Sequence, residues 1–451
     1  MPDAAIADRI SADIAKLDGV VPFRKHGTVT RIVGNVVDAT SLEVAVGDLC
    51  RINRSEGPPI EAEVVGFHER GIQLMPLGDF SGINPGAYVW SAARVLDVGV
   101  GPGMVGRVLN GLGEPIDGKG PIDHAQRYPL SNTPPNPLTR APITEPLATG
   151  VRAIDGLITL GRGQRVGIFS GSGVGKSVLM GMIAQHTAAD VNVIALLGER
   201  GREVREFIER DLGPQGLKRS VVVVATSDEA ALVRSKGALV ATAVAEYFRD
   251  EGNDVLLMMD SVTRVGMAWR EIGLAIGEPP TTKGYPPSIY PQLAKILERA
   301  GTSDRGSITG LYAVLVEADD FNEPLADAAR SILDGHIVLS RDLADHRHYP
   351  AIDVLGSISR LRDTVIDAEH LEAANSLQRL EASYRAHEDL ISVGAYKSGS
   401  DPLTDAAIAV RPEALDYLRQ RPGEHVTLEE TRARLEQIVR KLAPEVFGAA
   451  S

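Results

Sequence analysis

Five short runs between residues 165 and 316 consist almost wholly of apolar residues. They are ArgValGlyIlePheSer (165–170), ValAsnValIleAlaLeuLeu (191–197), ValValValValAla (221–225), ValLeuLeuMetMet (255–259) and LeuTyrAlaValLeuVal (311–316). A strand with one face in water alternates apolar and polar residues, so runs without alternation must be covered on both faces. Helical patterns between them, such as 229–250, supply that cover. The expectation is an α/β domain built on a parallel sheet, spanning 98–365 with a connector at its start.

The rest of the chain reads differently. Residues 19–97 carry short β-type runs (28–33, 42–46, 61–67, 71–75) separated by Gly, Pro and Asn, which suggests a small β-barrel. Residues 98–150 are rich in Gly and Pro. The stretch 129–138 cannot be regular helix or central strand, so it reads as an ordered connector on the next domain's surface. Residues 366–451 read as a helical domain. Leu371, Ala374, Leu377, Leu380, Tyr384 and Ile391 form one stripe. Asp401-Pro402 suits a helix start, and Thr427 with Glu430 makes a capping box ahead of Leu428, Leu435, Ile438 and Leu442. Residues 1–18 read as an amphipathic helix with Ile6, Ile10, Ile14 and Leu17 on one face. It either packs on its own domain or docks a partner.

Composition excludes several classes. Lys and Arg total 47 against 60 Asp and Glu, a net charge of -13, and aromatics are 4%. An acidic, ring-poor chain lacks the basic face and stacking platforms of a nucleic-acid binder. One cysteine, Cys50, allows no intramolecular disulfide and no CxxC zinc site. The first residues lack a signal peptide's apolar core. No apolar run approaches the ~20 residues of a membrane span. A soluble, cytosolic, multi-domain protein is expected.

The chemistry concentrates at three places. Ser170-Gly171-Ser172-Gly173-Val174-Gly175-Lys176-Ser177 follows the first apolar run and opens a helical stretch at Val178. Small residues let backbone N–H groups curl around a phosphate, Lys176 can reach the β and γ oxygens, and the Ser177 hydroxyl can ligate Mg²⁺. An ordinary Gly-rich turn is the plain alternative, which the strand–loop–helix context disfavours. Asp260 ends the run 255–259, where a carboxylate can order the water shell of Mg²⁺; without a phosphate loop upstream it would read as a turn residue. Gly198-Glu199-Arg200-Gly201-Arg202-Glu203 follows the run 191–197. Ligands of parallel sheets sit at strand carboxyl ends, so Glu199 can polarise an attacking water; a surface loop of Glu–Arg pairs is the alternative. His346, Arg347 and His348 read as a solvated loop without a third metal ligand. Asp319, Asp320 and Glu323 read as the acidic lead of a helix starting at Pro324.

Together with LeuMetMetAspSerValThrArg, IleGlyGluProProThrThrLysGlyTyrProProSer and LeuAspGlyHisIleValLeuSerArg…HisTyrProAlaIleAsp, these segments resemble the rotary-type ATPase superfamily. Within it they are most similar to the ATPases of the flagellar type III export apparatus, from about residue 20 to the end. The resemblance implies an N-terminal β-barrel, a RecA-like P-loop NTPase core with a parallel sheet, and a C-terminal helical domain. It implies a homohexamer hydrolysing ATP with Mg²⁺ at sites between neighbours. Lys176 and Ser177 then match phosphate and Mg²⁺ positions, Glu199 the catalytic base, and Asp260 with Glu203 the metal acids. Arg200 and Arg264 match arginines around the γ-phosphate, Tyr349 an aromatic against adenine, and Arg360 an arginine finger reaching the neighbour's site. The implied partners are a stator-like negative regulator on the N-terminal segment, a central stalk-like export chaperone, export-gate membrane proteins, and flagellar substrates with their chaperones. The implied place is the cytoplasm, peripheral to the inner membrane at the flagellar base. Four other readings stay open. Segment 392–401 looks flagellar and weighs against a virulence type III secretion ATPase. The GluProProThrThrLys segment weighs against a proton-translocating ATP synthase subunit, and Glu199 against a non-catalytic ring subunit. An RNA-translocating ring is disfavoured by charge.

Overall fold

The structure is a computed structural model that describes residues 25–69, 71–316 and 323–441. The expected helix at 1–18, Asp319, Asp320 and Leu442 lie outside the described residues. The chain divides into two compact units, 1–96 and 97–451.

The first unit is a closed antiparallel barrel of β1 (His26–Val33), β2 (Val36–Thr40), β3 (Asp48–Ile52), β4 (Ile60–His68), β5 (Gly71–Pro76) and β6 (Tyr88–Val95), in the order β1-β2-β5-β4-β3-β6. Val37, Ile52, Val64, Leu74 and Val89 fill its interior. The expected strand at 42–46 is instead a turn. The Asp48 carboxylate accepts from the Ala45 N–H at 2.8 Å, and the Val44 N–H donates to the Leu42 carbonyl at 3.0 Å. Leu42 and Val44 pack on the barrel core from this turn, so their alternation reflects burial without ladder pairing.

Among the described residues the second unit holds a nine-stranded sheet. Its main path runs Ile352–Ser359, Gly335–Leu339, Arg165–Ser170, Ser307–Leu315, Asp254–Asp260, Val191–Leu197, Ser220–Ala225, Val108–Asn110. All neighbours on this path are parallel except the edge strand Ile352–Ser359. Every residue of Val191–Leu197 and Ser220–Ala225 is buried, as two-sided cover requires. Parallel pairing puts Ser170, Leu197 and Asp260 at one end of the sheet, because Ser170 aligns with Leu315, Met259 with Tyr312 and Leu196 with Asp260.

The connector does more than cross the surface. Its residues Val108–Asn110 form the sheet's far edge strand. Its Pro-rich part is held by a buried ion pair: Arg299 donates to both Glu246 oxygens at 2.8 and 2.7 Å and to the Leu130 carbonyl at 2.8 Å. Both side chains are about 1% exposed or less. Three helices, Ala368–Ser392, Pro402–Leu418 and Leu428–Arg440, complete the unit. Asp401 caps the second through Leu403 and Thr404 N–H groups, and Thr427 with Glu430 forms the expected capping box. Leu377, Leu380, Tyr417, Leu435 and Ile438 share one core with Ile154 and Leu157 of helix Arg152–Leu157. Glu323 caps helix Pro324–Ile332 through the Ala326 N–H, as its position suggested. His348 departs from expectation: it is buried, and burial beside Arg419 and Arg411 pushes its imidazole pKa down to about 4. Among the described residues no helix is long and apolar enough to cross a membrane.

Candidate active site

The loop 171–175 leaves strand Arg165–Ser170 and enters helix Lys176–His186, whose first N–H groups have no carbonyl partner within the helix and so face whatever the loop encloses. Gly175 sits at φ +94, a left-handed conformation that a side chain would strain. A Cβ there would also lie 3.3 Å from the Tyr349 ring, so the Tyr349 ring rests on the loop.

Two carboxylates from strand carboxyl ends converge on Lys176. Its ammonium pairs with the Asp260 carboxylate and lies 3.9 Å from Glu199 Oε1. Asp260 is only 3% exposed. Glu199 accepts from Arg264 Nε at 3.0 Å. Arg264 is aimed by the start of helix Val262–Ala275, where the Ser261 hydroxyl accepts from the Arg264 N–H at 3.3 Å. Arg264 also packs on Gly198, whose φ is +73 and where a Cβ would come 2.8 Å from the Arg264 Cδ. The Glu199 backbone is fixed in turn by its carbonyl, which accepts from Ser227 N–H at 3.0 Å. Burial, and then the neighbouring Asp260 charge, push the Glu199 carboxyl above its usual range, against the pull of Lys176 and Arg264. A carboxylate so raised is a better proton acceptor near neutral pH than an ordinary one.

Other sequence candidates lie further out. Arg200 is exposed and 3.8 Å from Glu203, which also adjoins Glu199. Arg360 is not part of the cluster. Its N–H donates to the Asp334 carbonyl, and the Asp334 N–H donates to the Arg165 carbonyl. Arg360 therefore sits at the opposite end of the strand from Ser170, roughly 16 Å away at the rise of a parallel strand. That exceeds the reach of an arginine side chain. Arg341, not singled out from sequence, donates to the Ser172 carbonyl at 3.4 Å. With Ser172, Thr263, Arg264 and Leu315 it lines a cavity of about 350 Å³. The signal for it was available: it lies just past the carboxyl end of the strand beside the phosphate loop.

Residues 150–359 match the ATP synthase alpha/beta family, nucleotide-binding domain. Residues 29–91 match that family's beta-barrel domain, and 366–437 the T3SS EscN ATPase C-terminal domain. The Bacillus subtilis (strain 168) flagellum-specific ATP synthase is 53% identical over 92% of this chain and 95% of its own. The chain belongs to the flagellum-specific ATP synthase family. It is an ATPase of the flagellar and type III export kind. A type 3 secretion system ATPase of Xanthomonas euvesicatoria is 50% identical over 88% of this chain and 90% of its own. The assembled ATPase EscN, solved in complex with its central stalk EscO from the enteropathogenic E. coli type III secretion system, superposes with a TM-score of 0.85. It is 43% identical, covering 91% of this chain and 99% of that one. Family membership makes ATP the substrate.

Proposed function

We propose that this ATPase energises export of flagellar proteins through the type III apparatus, as a ring of six copies with each site completed by a neighbour. The observation that carries the ring is the split of the predicted machinery: Lys176, Glu199, Asp260 and Arg264 meet at one end of the sheet, while Arg360 sits at the other. In a ring of more than two copies, neighbours meet through two different surface patches, a heterologous contact, so a far-end arginine on one copy can serve the loop of the next. The neighbour's Arg360 then stabilises charge developing on the γ-phosphate, which contributes roughly 10³–10⁵ in rate in related NTPases. Arg200 and Arg264 hold the same phosphate, and Tyr349 lies against the adenine beside Val178.

Within one copy, Lys176 holds the β- and γ-phosphates, and the amides of 171–177 cradle them. Glu199, fixed by Arg264, accepts a proton from the water that attacks the γ-phosphorus. The Ser177 hydroxyl and the buried Asp260 carboxylate are hard oxygen donors beside the phosphate cradle, and they fit Mg²⁺, which takes few protein ligands and completes its shell with phosphate and water. A Mg²⁺ ion held by these two residues would supply charge neutralisation at the phosphates. Glu203, hydrogen-bonded to Glu199, is the further acid proposed for this metal site.

The proposed partners are those of the family: a stator-like regulator, a central stalk-like chaperone, the export gate, and flagellar substrates with their chaperones. The assembled EscN with its stalk supports the ring and the stalk. The proposed location is the cytoplasm, at the inner-membrane side of the flagellar base. The test is flagellin in the culture supernatant of a strain lacking the gene. Wild type is expected to restore it and Glu199→Gln to fail. Flagellin secreted without the gene would overturn the flagellar assignment.

A further inference from the structure

The turn between helices Pro402–Leu418 and Leu428–Arg440 is tied to the ATPase core by an unusually complete set of buried hydrogen bonds. Gln420 is 4% exposed. Its side-chain oxygen accepts from the Arg152 N–H at 2.8 Å, and its amide donates to the Gly150 carbonyl at 2.7 Å and the Glu424 carbonyl at 2.8 Å. Arg152, itself buried, donates to the Tyr417 carbonyl at 2.8 Å, to the Arg419 carbonyl and to the Glu424 carboxylate. Every polar atom of the Gln420 side chain is thus used, and the turn has one position on the core.

Two features of this turn bear on the loop 171–175 and the helix it opens. The Gln420 N–H donates to the Tyr349 carbonyl at 3.0 Å, and the Tyr349 ring lies on Gly175 of the phosphate loop. The next residues of the turn, Pro422 and Gly423, wall a cavity of about 250 Å³ against Val178, Met182 and Gln185 of the helix that the loop opens. One short turn therefore supports the Tyr349 backbone and walls a cavity on the helix that follows the loop.

We propose that Gln420 is a positioning residue for ATP: by locking this turn to Gly150 and Arg152 it holds Tyr349 against the base. It touches neither phosphate nor attacking water. It makes the C-terminal helices a support for nucleotide affinity, apart from any partner they bind. This rests on the assignment of Tyr349 to the base side of the site.

The test is steady-state ATPase kinetics of the full chain carrying Gln420→Met, Tyr349→Ala, or both. Methionine keeps the volume and removes the side-chain hydrogen bonds. Gln420→Met is expected to raise KM for ATP roughly tenfold with kcat within about twofold. The double variant is expected to be no worse than Tyr349→Ala alone, because both changes remove one contact. An unchanged KM in Gln420→Met with a raised KM in Tyr349→Ala overturns the role of Gln420 alone, and so do additive effects. An unchanged KM in Tyr349→Ala overturns the base-side assignment and this proposal with it. Should Gln420→Met not fold, hydrogen exchange on the wild-type protein decides: a non-hydrolysable ATP analogue is expected to slow exchange at the Gln420 amide, and unaltered exchange there contradicts the proposal.

Discussion

At the scale of single residues, the site is a contest between two carboxylates and two cations in a poorly solvated corner. Asp260 takes Lys176 and leaves Glu199 with Arg264, so the two acids have different jobs before substrate arrives. Glu199 has its proton affinity raised by burial and by Asp260, which suits it to accept a proton. Glu199→Gln keeps the shape and the Arg264 contact but removes the acceptor. ATP binding is expected to persist while phosphate release falls by roughly 10²–10⁴. A fluorescent-nucleotide titration beside a phosphate-release assay checks both, and sustained turnover in the variant would sink the base assignment. These residues were legible in the sequence because each ends a buried strand or lies a few residues past one. Strand, turn and acid are neighbours in the chain, so spacing alone brings Ser170, Glu199 and Asp260 to one edge. Gln420 had no such signal, since its core partners Gly150 and Arg152 lie about 270 residues away in the chain.

At the scale of elements, burial decided what sequence reading gained and lost. The two-sided strands were legible because nothing else in a globular chain is so uniformly apolar. The barrel was harder. Its strand 36–40 includes Asp38, kept buried by Arg31, which masks the apolar pattern. The turn at 42–46 meanwhile imitates a strand by packing Leu42 and Val44 inward. The connector's tie through Arg299 and Glu246 was invisible, because neither charge signals burial. Removing one partner leaves the other charge buried and unpaired, so Arg299→Ala is expected to cost about 3–5 kcal/mol. Replacing both with apolar residues of similar volume is expected to cost much less. Denaturant melts of the single and double variants make the comparison, and equal losses would show that the pair is not the cause. His348 gives a pH signature. Its folded pKa of about 4 lies below its ordinary value of 6.5, so between those values the unfolded chain binds the extra proton. Stability is therefore expected to fall as pH drops from 6.5 toward 4, and His348→Gln is expected to lose that component. Identical acid profiles for variant and wild type would mean the imidazole is not buried neutral.

At the scale of the whole molecule, the domain layout was legible from changes in local pattern, since a barrel, a two-sided sheet and a helical bundle each impose a different period. What the chain pattern does not reveal is that Arg360 and the phosphate loop occupy opposite ends of the sheet. That follows only from topology, because strand Ile352–Ser359 runs antiparallel to its neighbour and carries Arg360 back to the Arg165 end. In the proposed ring, a chain built this way carries half a site at each end. The most direct measurement is ATP hydrolysis by mixtures of Arg360→Ala and Glu199→Gln proteins, each inactive alone. In a randomly mixed ring about a quarter of interfaces join an intact Glu199 to an intact Arg360, so activity is predicted to reappear on mixing and peak near equal amounts. Mixtures as inactive as their components, in rings shown to exchange subunits, would contradict the shared site.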